Sequence, residues 1–184
     1  MVFGTFRILR LFSLQMLLLG TGVYSAFTLD NLPPPLTKPP ANMKLIYLTL
    51  GTGTQNYVCQ QGKWVFVGAE SRLEYEATTK SQGPGQQGGK ENRAIGRHRF
   101  VDKKPAFFIS GIGSIVAEIT AAAPAPNKQG VNWLQLTTIS PRTGAFAKFV
   151  YRTNTNGGFI PTSPCNQNTP PAKVPYSAVY SFWD

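Results

Sequence analysis

One histidine and two cysteines among 184 residues leave little for metal chemistry. A transition-metal centre takes three or four nitrogen, sulfur or oxygen ligands, so His98 cannot anchor one, and Cys59 and Cys165 are too few for a thiolate cluster. Carboxylates are scarce too, with eight Asp and Glu against 18 Lys and Arg. Their single local group is Glu70, Glu74 and Glu76. In an extended chain Glu74 and Glu76 share a face with Arg72, which makes a solvated ladder rather than a calcium cage. No N-x-[ST] sequon occurs, so N-linked glycan is not expected to mask the surface. Beyond residue 25, no window of ten or more residues keeps an uninterrupted 3.6-residue apolar pattern, and 15 prolines and 18 glycines over the whole chain leave little room for helix.

Nucleotide motifs fail on register. GPGQQGGK (83–90) resembles a phosphate-binding loop, but Gly89 intervenes before the lysine and Glu91 follows where Ser or Thr would hold magnesium. GTGTQN (51–56) and GIGSIV (111–116) begin G-x-G without the third glycine, a following helix or a βαβ unit, so a dinucleotide fold is unsupported. No cofactor is expected.

What is present begins with Arg7 and Arg10 ahead of the apolar run LFSLQMLLLGTGV. The run ends in small residues, the pattern of a secretory signal peptide, with Val23 and Ser25 fitting a cleavage site after Ser25. Nothing later reaches the ~20 apolar residues of a membrane helix, so the mature protein is expected to be exported with no membrane span. In an oxidising compartment, a bridge between Cys59 and Cys165 is the natural reading, and two separate buried thiols the alternative. Removing Arg7 and Arg10 lowers the formal net charge from +10 to +8. Such a basic exported chain favours acidic polysaccharide, phosphate-bearing polymers or other anionic surfaces, neutral polysaccharide is the further partner if aromatic stacking leads, and export argues against a nucleic-acid partner. Much of the excess lies in one window, where Lys90, Arg93, Arg97, Arg99, Lys103 and Lys104 face Glu91 and Asp102.

From Asp30 to Ala41, five prolines impose an extended lead-in, so residues 26–43 form an arm ahead of a single domain at 44–184. Nine short β-rich runs follow: 44–50, 56–60, 63–68, 72–77, 106–110, 114–120, 131–138, 145–152 and 174–183. Gly51-Thr52-Gly53 and Gln61-Gly62 read as turns, and 80–96 as a flexible Gly-rich loop. In the last run Tyr176, Ala178, Tyr180 and Phe182 alternate with Ser177, Val179, Ser181 and Trp183, so one face should be buried. The fold class is all-β, a sandwich or partly closed barrel of about nine antiparallel strands. In FVYRTNTNGGFIPTSPC (149–165), Asn156-Gly157-Gly158 reads as a tight turn and Pro161–Cys165 as the segment that delivers a sulfur to Cys59.

The candidate ligand-binding residues are His98 with its flanking Arg97 and Arg99, then Trp133, Arg152 and Asn154. Guanidinium and amide groups suit polar ligands, an exposed indole can stack on a sugar, and His98 beside two cations should resist protonation. Trp64, Trp133 and Trp183 are otherwise core material. A nucleophilic enzyme would need His98 as base, oriented by Asp102, and a serine from elsewhere; there is no G-x-S-x-G elbow. The leading reading is a non-catalytic binding protein of polysaccharide-rich cell wall or host surface. The competing readings are an extracellular glycoside or ester hydrolase using a carboxylate pair or His98, and an effector-like protein acting through a protein partner.

Several words of the sequence, in order, resemble one family: LPPPLTKPPANMKLIYLTLGTGTQNYVC near the start, GRHRF (96–100) followed by PAFF, NWLQL (132–136), VYRTNTNGG (150–158) and VPYSAVYSFWD at the end. The chain is similar to the DUF3455 family of uncharacterised exported proteins, and in detail to its fungal branch, over nearly the whole mature length. The resemblance implies a secreted, single β-rich domain of unassigned activity. It places the family's G-x-H step on Gly96 and His98, its Tyr-Arg-x-Asn-Thr-x-Gly-Gly word on Tyr151 to Gly158 and its cysteine pair on Cys59 and Cys165. Arg99 stands where relatives often carry Tyr. Some fungal relatives bear a malate dehydrogenase label, for which these residues offer no dinucleotide loop and no Rossmann alternation.

Overall fold

The computed structural model describes residues 28–75 and 94–184. The leader expected at 1–25, and the Gly-rich loop up to Arg93, lie outside them. Eight antiparallel strands run in chain order: β1 (Leu45–Gln60), β2 (Lys63–Tyr75), β3 (Ala94–Val101), β4 (Lys104–Ile109), β5 (Gly113–Ala123), β6 (Trp133–Thr143), β7 (Phe149–Gly157) and β8 (Ala172–Trp183). Each pairs with the next, and β8 returns to β1, closing a barrel with no free edge.

Three differences from the sequence reading have physical causes. Gly51 and Gly53 are not a turn but lie inside β1. A Cβ on Gly51 would stand 2.6 Å from Cε2 of Tyr180, and one on Gly53 would stand 1.9 Å from the Glu70 carbonyl oxygen, so glycine here permits close approach in a bent strand. The run 63–68 and the described part of 72–77, up to Tyr75, likewise merge into β2, interrupted only by a bulge that leaves Val67 between the Asn56–Gly68 and Tyr57–Phe66 pairs. β3 was not anticipated as a strand, because Arg97 and Arg99 hide its alternation with Gly96, His98 and Phe100. Two merged pairs and one unrecognised strand account for eight strands in place of nine.

The pleat sorts side chains by parity. One inward row runs around the wall through Tyr176, Gly53, Ser71, His98, Phe107 and Ile115, all register partners. The core fills the barrel with Leu73, Phe107, Ile115, Leu136, Val150, Tyr180 and Phe182, each at most 1% exposed. As expected, Tyr176, Ala178, Tyr180 and Phe182 are all buried. Phe107 packs edge-on against Tyr180 and Phe182, with ring centroids 5.4 and 5.3 Å apart. Such pairs add about 0.5–1.5 kcal/mol each beyond area burial. The tryptophans, expected as core, are instead half-buried, with Trp133 and Trp183 on the outer face.

The proline-rich arm packs outside β6 and β7. Thr37 donates its backbone N–H and its hydroxyl to Gln135 Oε1 at 2.9 and 3.1 Å, and Tyr151 donates its hydroxyl to the Thr37 carbonyl at 2.9 Å. That cover explains why Tyr151, on the outer parity, is fully buried; its register partner Ser181, also fully buried, accepts from Trp183 Nε1 at 3.0 Å. Burial pushes the Tyr151 phenol up to about 12, so it stays a donor.

Cys59 and Cys165 form the expected bridge, with Cα atoms 5.8 Å apart. It ties the end of β1 to the long β7–β8 connection, where Trp64 Nε1 also donates to the Ser163 carbonyl at 2.9 Å. Asn156-Gly157 is therefore not a two-residue hairpin. Gly157 and Gly158 have φ of +71° and +78°, but β8 begins only at Ala172. The two glycines send the chain outward instead of reversing it.

Candidate functional site

Closure separates the candidate residues into an inner and an outer group. On the outer face, cross-strand register aligns Thr52, Arg72, Arg97 and Phe108 in one row and Thr54, Glu70, Arg99 and Ala106 in the next. Both guanidiniums lie over the Phe108 ring, Arg97 at 5.5 Å and Arg99 at 4.8 Å from its centroid. Each such contact stabilises by about 0.5–1 kcal/mol at an exposed position. Neither arginine is ion-paired among the described residues. Arg72 binds Glu74 at 2.9 Å, as the ladder reading expects. Beside these rows is an open hollow of about 810 Å³ over β1, β2 and β3, bordered by Thr52, Thr54, Asn56, Glu70, Arg72, Arg97 and Arg99. Small residues keep its floor low: Gly68, Ala69 and Gly96 all contribute to it.

His98 points the other way. It is 4% exposed and stacks on Phe107 with centroids 4.5 Å apart and planes 18° from parallel. Its Nδ1–H donates to the Ala106 carbonyl at 3.0 Å, which leaves Nε2 as the unprotonated nitrogen of the neutral ring. Burial is the main reason its pKa falls to about 4, with a smaller push from Arg152. The sequence reading attributed resistance to protonation to Arg97 and Arg99, but strand parity puts both on the opposite face. Ser71 is the register partner of His98 and its hydroxyl is buried without a hydrogen bond, so the two do not form a nucleophile–base pair. Asp102 does not orient the ring; the Ala106 carbonyl does.

Arg152 also faces inward, opposite Leu134 and Tyr180 in the register, and is 9% exposed. Its Nε and Nη2 donate to the Asn132 carbonyl at 3.2 and 2.8 Å. Nearby, the Tyr176 and Tyr180 hydroxyls meet at 2.8 Å, and Tyr57 donates to the Gly158 carbonyl at 2.6 Å. Burial raises the pKa of Tyr57, and raises that of Tyr180 well above the ordinary phenol value, while Arg152 opposes both shifts. Asn154, in contrast, is exposed at a β7 irregularity with φ of +48°. Trp133 lies half-buried on the outer face with its indole N–H unpartnered. His98 and Arg152 thus share the interior, Arg97 and Arg99 share the outer wall, and Trp133 and Asn154 join neither group.

The sequence reading passed over Gln55, Tyr57, Ser71, Tyr176 and Tyr180 as a polar interior. The signal was their common parity along β1, β2 and β8, which becomes visible only once Gly51 and Gly53 are placed within one strand. Among the described residues no three His, Cys, Asp or Glu side chains group as metal ligands, and no helix is long and apolar enough to cross a membrane.

These features define a class: a closed eight-stranded antiparallel barrel with an aromatic core, a polar inner cluster and a cationic outer wall. The chain belongs to the family described as a protein of unknown function, DUF3455, whose model matches residues 39–184. No curated protein and no solved structure matches the chain.

Proposed function

We propose that this is an exported, non-catalytic binding protein that takes acidic polysaccharide of a cell wall or host surface on its β1–β3 wall. The observation that carries the reading is the Arg97–Phe108–Arg99 arrangement at the edge of the hollow. Two guanidiniums held against a ring are positioned without side-chain carboxylate partners among the described residues, and Thr52, Thr54 and Asn56 add hydroxyl and amide groups suited to sugars. Around the hollow Arg97 and Arg99 stand against Glu70, while Arg72 is paired with Glu74, so the local field favours a polyanion.

Binding is favoured over hydrolysis because His98 and Ser71 are buried and do not hydrogen-bond each other. Asp30, Glu74, Glu118 and Asp184 are each in ion pairs with Lys or Arg. The exposed large apolar residues are spread over β1, β2, β5, β6 and the connections, which favours a sugar over a protein partner.

Co-sedimentation with crosslinked polygalacturonate, chitin and β-glucan tests the reading across a salt series. Retention is expected on the acidic polymer, declining with salt as surface charges are screened, and weakened about tenfold in Arg97→Gln/Arg99→Gln. Salt-resistant retention shared with the neutral polymers would move recognition to aromatic stacking. No retention on any polymer would remove the proposal.

A further inference from the structure

Arg152 is more than nine-tenths buried, yet no carboxylate among the described residues pairs with it. A guanidinium cannot shed its charge, and burying one opposite only a peptide carbonyl and a phenol leaves most of its field uncompensated. Two donors with no protein partner lie on the same inner parity: Gln55 Nε2 and Ser71 Oγ, in residues 3% and 6% exposed. Most buried polar atoms are paired, so three under-used donor groups in one barrel interior call for an explanation.

These groups converge. Arg152 is the register partner of Tyr180, whose hydroxyl meets Tyr176 Oη at 2.8 Å. The Tyr180 ring and Ser71 Oγ both crowd the space beside Gly51, 2.6 and 3.2 Å from where its Cβ would stand. Gln55 Cγ and Tyr176 Cβ pack together at Gly158, 2.7 and 2.9 Å from the equivalent point. Toward the end of the barrel that carries the β1–β2 hairpin, the wall becomes aromatic. Tyr57, Phe66 and Phe100 form an edge-to-face chain with centroids 5.7 and 5.4 Å apart, and Phe66 is 40% exposed at the rim.

We propose that the barrel holds a small organic acid end-on, its carboxylate taken by Arg152, Gln55 and the Tyr176–Tyr180 hydroxyl pair, and its apolar body lying among Tyr57, Phe66 and Phe100. The charge of the group requires an anion, the planar fork of guanidinium donors suits a carboxylate, and the aromatic rim selects an apolar tail over a bare inorganic ion. An eight-stranded barrel is wide enough either to be filled by side chains or to hold one small molecule; here the apolar core around Leu136, Val150 and Phe182 takes one end, and Gln55 and Tyr176 lie toward the other. This site uses the inner parity and the polysaccharide wall the outer one; Phe100 borders both, but the anion-holding groups are not shared, so either reading can fail without the other.

Thermal denaturation and titration calorimetry of the disulfide-bonded protein test it with benzoate and decanoate against their uncharged counterparts, benzamide and decanol. The acids should raise the melting temperature with concentration and the uncharged compounds should not. Arg152→Gln should weaken binding of the acids about 10- to 100-fold, the range for loss of charge-assisted hydrogen bonds. Arg97→Gln/Arg99→Gln should leave binding unchanged. Because Arg152→Gln removes a buried group and can impair folding, Gln55→Leu provides a second arm. It should weaken binding while keeping or raising stability without ligand, since it deletes an unpartnered donor. No response to either acid at millimolar concentration, equal response to acid and uncharged compound, or a response lost only with Arg97 and Arg99 would each overturn the proposal.

Discussion

His98 shows how one buried ring makes folding depend on pH. Its Nδ1–H is satisfied by Ala106, its face is covered by Phe107, and burial lowers its pKa to about 4. In the unfolded chain a histidine takes up a proton below about pH 6.5, whereas the native ring refuses it until about pH 4, so the unfolded state gains stability as pH falls. The contribution is fully present above about pH 6.5 and is lost through that window, on the order of 3 kcal/mol for the single group. Urea unfolding at pH 7.5 and 4.5 should therefore show a steep loss for the native protein and a shallower one for His98→Phe, which keeps an aromatic ring but cannot titrate. Equal slopes for the two proteins would show that surface carboxylates account for the change. The identity of His98 as a notable residue was legible in the sequence, as the only histidine between two arginines. Its role was not, because nothing in RHR says which of the three side chains faces inward.

At the scale of the strand, glycine position rather than glycine content decides the outcome. Gly51 and Gly53 read as turn residues from their neighbours, and in β1 they are the points where Tyr180 and the β2 backbone come closest. The two differ in what a methyl group would meet. At Gly51 the obstacle is a ring, which can shift, while at Gly53 it is the Glu70 carbonyl and the Ser71 Cα, which cannot shift without parting the strands. Gly51→Ala is expected to cost about 1–3 kcal/mol, the usual penalty for overpacking, and Gly53→Ala more. Chemical denaturation of both variants checks the order, and a Gly53→Ala protein as stable as the native one would refute the close-approach account. β7 teaches a related lesson. Its consecutive Tyr151 and Arg152 are both buried, one under the proline-rich arm and one inside the barrel, so no period-two pattern marks the inner face.

Over the whole molecule, closure and the disulfide reinforce each other. Sequence separation across the bridge is 106 residues, and its removal releases the connection between β7 and β8 from the end of β1. Chain-entropy reasoning assigns a loop of that length roughly 4–5 kcal/mol. Reduction, or Cys59→Ala with Cys165→Ala, should lower the unfolding free energy by about 3–5 kcal/mol while leaving the β-type circular dichroism of the folded state intact, because the ring of strand pairs closes through β1 and β8 without the sulfurs. Loss of β structure on reduction at native conditions would mean that the seam depends on the bridge.

The sequence by itself determined that the chain is all-β, that β8 buries the face of Tyr176 and Phe182, and that two cysteines far apart could staple an early strand to a late segment. These follow from local rules: turn residues, proline, and a side-chain period of two. Only the tertiary structure decided that the sheet closes, that Arg97 and Arg99 stand outside while Arg152 stands inside, and that Gln55, Ser71 and two tyrosines gather around it. The reason is geometric. Alternation tells which residues share a face, but which face becomes the interior is set by the partner strands and by what covers the outside, and the contacts that close β1 on β8 and seat the arm join residues roughly a hundred or more positions apart.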